Sequence, residues 1–376
     1  MAKYRFEQIA INKTEKKKPE ESDYATYIGL EHLDSGCLKV TRWGSDVPIK
    51  GEKLVMKKGD VLLGKRNAYL RRAAIAPHDG IFSAHGMILN PREDVIDKDF
   101  FPLFIASNYF FDEAIKISVG SLSPTINWRD LSKVEFELPP LDEQRKLAQL
   151  LWAINDVKDG YRELLIATDA VVKSQFIEMF GELDKNTKRF PVRKLSEISS
   201  YWNGLTYKPA DAVEDGTGTL VLRSSNIQNG ALAFEDNVYV NCEIKEKLLV
   251  QENDILMCSR NGSAALVGKT ALIKGLVEPT TFGAFMMIIR SEYYSYLKTY
   301  FEMPFFRNQI STGTSTINQI TGKMLNEISL PVPDMDTVRM FESFVHQSDK
   351  SKFEIQQALK ELELLYDKII EEGLTS

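Results

Sequence analysis

Apolar residues fall along the chain in two contrasting patterns, and the pair of patterns occurs twice. The first is a series of short apolar runs closed by turn residues: VLLGKR (61–66) and AAIAP (73–77) early, DILMC (254–258) and TALIKG (270–275) late. Runs of that length bounded by Gly, Asn, Asp or Pro predict β-strands. Stretches with helical spacing, Phe101–Ile117 and Tyr294–Ile310, follow each set. The second pattern is long and helical, over about 142–180 and 334–376. In the later stretch Val338, Phe341, Val345, Ile355, Leu359, Leu362, Tyr366 and Ile369 recur at alternating spacings of three and four, broken by a polar gap before Ile355. That alternation is the seam of a coiled coil. In the earlier stretch Leu147, Leu151, Tyr161, Leu165 and Val172 take the matching places. Pro139 and Pro140, and later Pro331 and Pro333, stop the preceding strand, and Asp142 or Asp336 is expected to cap the helix that follows.

The repetition extends to individual residues. Gly36 recurs as Gly230, Asp60 as Asp254, Arg66 as Arg260, Leu131 as Leu325 and Pro139 as Pro333, each 194 residues later. FEQI (6–9) matches LSEI (195–198) at a shift of 189, so five residues enter the spacing before Gly230. This register makes the chain a duplication. The predicted fold class is α+β: two tandem mixed domains at 1–141 and 181–333, each followed by a long helix at 142–180 and 334–376. The helices are expected to pair as an antiparallel coiled coil about a pseudo-twofold axis. A helix over 142–180 is roughly 58 Å long, enough to hold two domains about one to two DNA turns apart. Lys158 and Lys352 share one seam position, either fixing the register or snorkelling out of it.

Composition then narrows the chemistry. Hydrophobic residues make up 43% and charged residues 27% of the 376, as in soluble globular chains. The net charge of −6 rules out a wholly basic nucleic-acid coat but not a local basic face. Three scattered cysteines (Cys37, Cys242, Cys258) argue against a disulfide scaffold or a cysteine-rich zinc module and suit a reducing cytoplasm. The apolar runs are too short to span a bilayer, so no membrane partner is expected.

No catalytic centre emerges from the motifs. Gly262–Thr270 looks like a phosphate loop, yet five residues rather than four separate Gly262 from Gly268-Lys269-Thr270, and a strand-like run follows. What remains is binding chemistry. Between Lys39 and Arg72 lie ten basic residues against three acidic ones, Asp46, Glu52 and Asp60, with Trp43 and Tyr69 interleaved. Such a patch suits phosphate neutralisation, with Arg and Asn available for base edges. The candidate DNA contacts are Lys65, Arg66, Asn67, Tyr69, Arg71 and Arg72, with Ser121 and Ser123 in the Ser-rich loop 118–127. In the second copy they are Arg223, Asn226, Arg260, Asn261 and Ser263, with Thr314 and Ser315 in the loop 311–318. Arg66 and Arg260 have a bland alternative, ion pairs with Asp60 and Asp254.

This organisation resembles the specificity subunit of Type I restriction–modification systems over essentially the whole chain. The strings that carry the resemblance are LPPLDEQRKL (138–147), DVLL (60–63) and DILM (254–257), SRNGSAALVGK (259–269) and EMFG (178–181). The second junction departs from the pattern, with Asp334, Thr337 and Val338 where the first has Pro140, Glu143 and Gln144. The resemblance implies a non-catalytic, cytoplasmic subunit whose two target-recognition domains each read one half of a bipartite site in double-stranded DNA. It implies helices that set the spacing and dock two methyltransferase (modification) subunits; the seam residues Leu147, Leu151, Tyr161, Leu165, Phe341, Val345, Ile355 and Leu359 are the candidates for the interface between the helices or with those partners. Restriction (motor) subunits complete the assembly. S-adenosylmethionine, ATP and Mg belong to these partners, and this chain binds no cofactor. A recognition subunit of a related Type II-like system and a coiled-coil scaffold without a DNA role are the alternatives.

Overall fold

The computed structural model describes residues 1–213, 216–310 and 319–375. Two compact units divide the chain, residues 1–164 with the segment from Ile355 onward, and residues 165–354. Both long helices, Leu141–Phe180 and Met335–Thr375, are therefore split between units rather than standing apart as separate segments. The reason is burial. Ala148, Leu151, Tyr366 and Ile370 complete the core of the first unit, and Phe176, Phe180, Val338 and Phe341 that of the second.

In the first unit an antiparallel sheet runs in the order Ala10–Lys13, Gly86–Pro91, Val61–Gly64, Ala73–Ile75. A second sheet orders Lys16–Lys17, Lys53–Met56, Gly80–Phe82 and Tyr27–Ile28, the last pairing being parallel. The second unit repeats the first sheet and builds a differently ordered second one. One sheet orders Ser200–Asn203, Met286–Arg290, Ile255–Cys258, Thr270–Leu272, and the other Ala212–Val213, Tyr239–Val240, Thr219–Leu222, Thr280–Phe282, again with one parallel pairing. A terminal strand pair closes each unit, Ala2–Arg5 on Glu135–Leu138 and Val192–Lys194 on Ser329–Pro331.

The central strands explain why their sequences do not alternate. Val61 and Leu63 enter one apolar cluster while Leu62 enters another, so the strand is buried on both faces. Ile255 and Met257 against Leu256 and Cys258 do the same in the second copy. Each strand is launched from a four-residue turn whose third residue has positive φ, Gly59 at 90° and Asn253 at 67°. The following aspartate fixes that turn. Asp60 accepts the Lys57 N–H at 2.8 Å and Asp254 the Gln251 N–H at 2.8 Å.

The helical stretches after the sheets are each broken once. Ser107 leaves the helical region and caps Asn108–Lys116 by accepting the Phe110 N–H at 3.1 Å. Pro304 forces extended backbone on Met303 and separates Tyr294–Glu302 from Pro304–Ile310. At the long helices the expected caps are corrected. The second starts at Met335, and Asp334 rather than Asp336 accepts the Thr337 N–H at 2.8 Å. Asp142 lies inside the first helix, paired with Arg145 at 2.7 Å, and the Pro140 carbonyl takes the first helical N–H groups.

Within each unit the helix segments pair antiparallel. In the first, Lys158 lies 4.8 Å from the Tyr366 ring centroid, and Arg162 lies 3.4 Å from Glu363. In the second, Asp169 meets Lys352, and Phe176 and Phe180 meet Phe341. Numbers that rise on one helix match numbers that fall on the other. The polar gap before Ile355 is no break in the seam, because Ser348 and Lys352 occupy its half-buried positions.

Candidate nucleic-acid interface

In the first unit the central strand ends at Gly64, and the next two residues are held by their backbones. Lys65 and Arg66 both donate their N–H to the His85 carbonyl, at 3.1 and 3.3 Å. Across the strand the Lys65 carbonyl accepts from Ile126 at 2.9 Å, Arg66 bridges Thr125, and Ala68 donates to Pro124 at 3.1 Å. These bonds bring the loop 118–127 against 65–68. Reciprocal 3.0 Å bonds between Val119 and Thr125 close its tip, which carries Gly120, exposed Ser121 and Leu122, and Ser123. The Ser123 carbonyl is occupied by the Thr125 hydroxyl at 3.0 Å.

The second unit builds the same arrangement. Ser259 and Arg260 donate to the Phe285 carbonyl at 3.0 and 3.1 Å, Ile320 donates to Ser259 at 2.7 Å, and Arg260 bridges Gln319. Thr314 and Ser315, in the segment just before, lie outside the described residues. The Arg66–Thr125 and Arg260–Gln319 bridges keep the 194-residue shift, so the predicted loop 118–127 converges on Arg66, and in the second copy Gln319 meets Arg260.

The two arginines are not used as ion-pair partners. Asp60 is taken by Lys13 at 2.7 Å and Asn90 at 2.9 Å, and Asp254 by a bidentate Arg290 at 2.7 Å on both oxygens. Among the described residues neither Arg66 nor Arg260 has a carboxylate partner, and both are exposed. The Arg260 guanidinium instead lies 5.5 Å from the centroid of the Phe285 ring. Lys65 is half-buried with Lys16 nearby, and burial, reinforced by that like charge, pushes its ammonium below the ordinary lysine range.

Other expected contact residues are committed elsewhere. Arg71, in the left-handed region at φ 46°, binds Asp112 at 2.6 Å and Asn108 at 2.7 Å. Asn226 is a correction. It is 0% exposed, and its amide accepts the Arg223 N–H while donating to Ala233 and Asn237, so it shapes its own loop rather than reaching a groove. Arg223 pairs with Asp236 at 2.9 Å. The Asn261 amide donates to Ser224 at 3.1 Å and accepts the N–H of exposed Ser263 at 2.9 Å. Asn67 opens a short turn at φ 55°, Tyr69 projects from that turn, and Arg72 is half-buried with its carbonyl bound by Gly64 at 2.9 Å.

The wider basic patch thins in the same way. Lys39 pairs with Glu163, Arg42 with Asp34 and Lys57 with Asp79, while buried Lys53 donates to the carbonyls of its own loop. Of the helix residues expected at the helix or partner interface, most pack within the helix pair and the unit cores. Leu151 and Phe341 are fully buried, Ile355 nearly so, and Leu147 and Val345 pack on the unit cores. Tyr161, Leu165 and Leu359 are half-buried. The apparent phosphate loop is a hairpin connection from Cys258 to Thr270, with no helix after it. Among the described residues no group of acidic, His or Cys side chains is arranged to hold a metal ion, and no helix is long and apolar enough to cross a membrane.

The family model for the Type I restriction modification DNA specificity domain matches residues 6–159 and again 188–365. The chain belongs to this family. Each match falls on one copy of the duplicated fold. A Type I specificity subunit from Salmonella potsdam, StySPI, is 28% identical over 189 residues, 47% of this chain and 40% of that one. The EcoKI specificity subunit from Escherichia coli K12 is 22% identical over 320 residues, 78% of this chain and 68% of its own length. This chain thus aligns with about two-fifths of the first relative and two-thirds of the second. A solved Type I system S subunit from M. genitalium shares the fold at a TM-score of 0.51 and 14% identity, covering 100% of this chain and 96% of that one.

Specificity-domain sequence signals located the arginines but not the carbonyls that hold them. His85 and Phe285 are hidden from the repeat because their separation is 200 rather than 194. The extra residues enter between the central strand and these turns, in the loops around Thr270.

Proposed function

We propose that this chain is the DNA-recognition subunit of a Type I restriction–modification assembly, with each copy of the fold reading one half of a bipartite site in double-stranded DNA. The observation that carries the reading is the repeated strand exit. In both copies an exposed arginine, without a carboxylate partner among the described residues, stands on a backbone fixed by the same hydrogen bonds and bridged to Thr125 or Gln319. A rigid backbone with a free guanidinium suits bidentate contact with guanine or with phosphate. The family match on both copies supports the same reading.

The chain acts as specificity subunit, not as catalyst. Two modification subunits supply methyl transfer from S-adenosylmethionine, and restriction subunits supply ATP- and Mg-dependent work, in the cytoplasm. Their docking is supported by a second apolar stripe on the first long helix. Leu150 and Val157 are exposed seven residues apart, with exposed Ala153 between them and exposed Gly160 three residues further on. Large and small residues alternating at three and four can receive another helix. Among the contact residues the reading retains Lys65, Arg66, Tyr69, Arg72, Ser121, Arg260 and Ser263.

The test is co-expression with the modification subunit from the same genome, followed by genome-wide mapping of methylated adenines. A split motif with a fixed gap, absent without this chain, is the expected result. A stable complex that writes no methylation, or no complex at all, would overturn the reading.

A further inference from the structure

The turn that clamps each arginine also presents a side chain of its own. In the first copy the Gly86 N–H closes the turn onto Ser83 at 3.0 Å, and in the second Met286 closes it onto Gly283 at 2.8 Å. The third residue of each turn, His85 or Phe285, gives its carbonyl to two successive N–H groups of the strand exit. The same backbone bonds therefore fix residue 85 beside Arg66 and residue 285 beside Arg260.

Packing does not account for what stands there. Phe285 is 61% exposed, although its neighbour Met286 is buried in the core. Its ring instead meets the exposed Arg260 guanidinium. His85 is likewise exposed next to exposed Arg66. The frame is the same in both copies while the chemistry at its tip differs: aromatic and apolar in one, capable of donating and accepting hydrogen bonds in the other.

We propose that residues 85 and 285 determine specificity, each forming a two-residue reading tip with the neighbouring arginine. Arg260 takes the O6/N7 edge of a guanine, and Phe285 contacts the methyl group of an adjacent thymine in the major groove. His85 beside Arg66 makes the other tip polar, so its half-site carries no such thymine requirement. This assignment rests on the DNA-reading function proposed above.

The experiment uses the full chain in complex with its modification subunit, with Phe285→His and, separately, Phe285→Leu, read by methylated-motif mapping. Phe285→His should cut discrimination about tenfold or more at one base pair of one half-site, leaving the other half-site and the gap unchanged. Phe285→Leu, which keeps an apolar contact, should retain the preference. Arg260→Lys should relax the neighbouring position instead. Recovery of each complex by gel filtration separates a change of reading from a loss of folding. An unchanged motif with Phe285→His, or uniformly weaker methylation with the motif intact, overturns the assignment. If the wild-type complex writes no split motif, the DNA-reading function falls first and takes this assignment with it.

Discussion

Gln144 shows how one side chain can hold a junction. Only 1% exposed, it accepts the Asp97 N–H at 2.8 Å and donates to the carbonyls of Pro139 at 2.8 Å and Val95 at 3.1 Å. Its amide is thereby fully used where strand, loop and helix meet. The position 194 residues later is Val338, fully buried in apolar surroundings. The second junction solves the same problem by burial, with Asp334 capping the helix. Gln144→Ala strands one N–H and two carbonyls, and should lower stability by about 1–3 kcal/mol in urea titration of the full chain. At this scale the sequence revealed residue types better than their partners. Arg66 and Arg260 were legible because the repeat aligned them. That Arg71 is claimed by Asp112, and Asn226 by Ala233 and Asn237, depends on loops packing together in space. His85 and Phe285 were hidden by a change of register that only the shared backbone bonds reveal.

At the scale of elements, the long helices and central strands were the most legible features, because three–four spacing and dense apolar runs are strong signals. The breaks at Ser107 and Pro304 were less so, since a cap or a proline inside a helical pattern leaves the apolar period intact on both sides. The seam lysines resolve differently in the two copies. Lys352 meets Asp169, whereas Lys158 is only 5% exposed and faces the Tyr366 ring. Burial pushes the Lys158 ammonium below its ordinary value, with nearby Glu363 only partly offsetting the effect. A lysine whose folded value is lowered destabilises the fold wherever both states are charged, and that cost fades as pH rises towards the unfolded value near 10.5. Lys158→Met should therefore be neutral to stabilising by about 1–4 kcal/mol near neutral pH, as for other buried charges replaced by apolar groups. Its advantage in melting temperature over the wild type should shrink as pH approaches that value. A destabilised Lys158→Met chain at pH 7 would show that the lysine holds the seam.

At the scale of the molecule, duplication gives two copies of one frame and frees their surfaces to differ. Net charge of −6 is compatible with DNA reading because affinity is set by the few cations that reach phosphate, not by the total. Five of the ten basic residues between Lys39 and Arg72 are already bound to carboxylates or backbone carbonyls. Counting charges along the sequence therefore overstates the electrostatic contribution of the first copy. The difference that survives is local: the first strand exit carries Lys65, half-buried and pressed by Lys16, and the second carries Ser259, bonded to Phe285. A phosphate beside Lys65 would relieve both the burial and the repulsion. Lys65→Ser, the residue of the other copy, should reduce the slope of log K against log salt by about 0.9, the value of one phosphate contact on duplex DNA. Lys53→Gln, which removes a lysine already bonded to its own loop, should leave that slope alone. Binding of the complex to a duplex carrying its motif, measured across a salt series, decides it. Equal slopes for wild type and Lys65→Ser would place Lys65 away from the backbone and leave its burial without a phosphate to explain it.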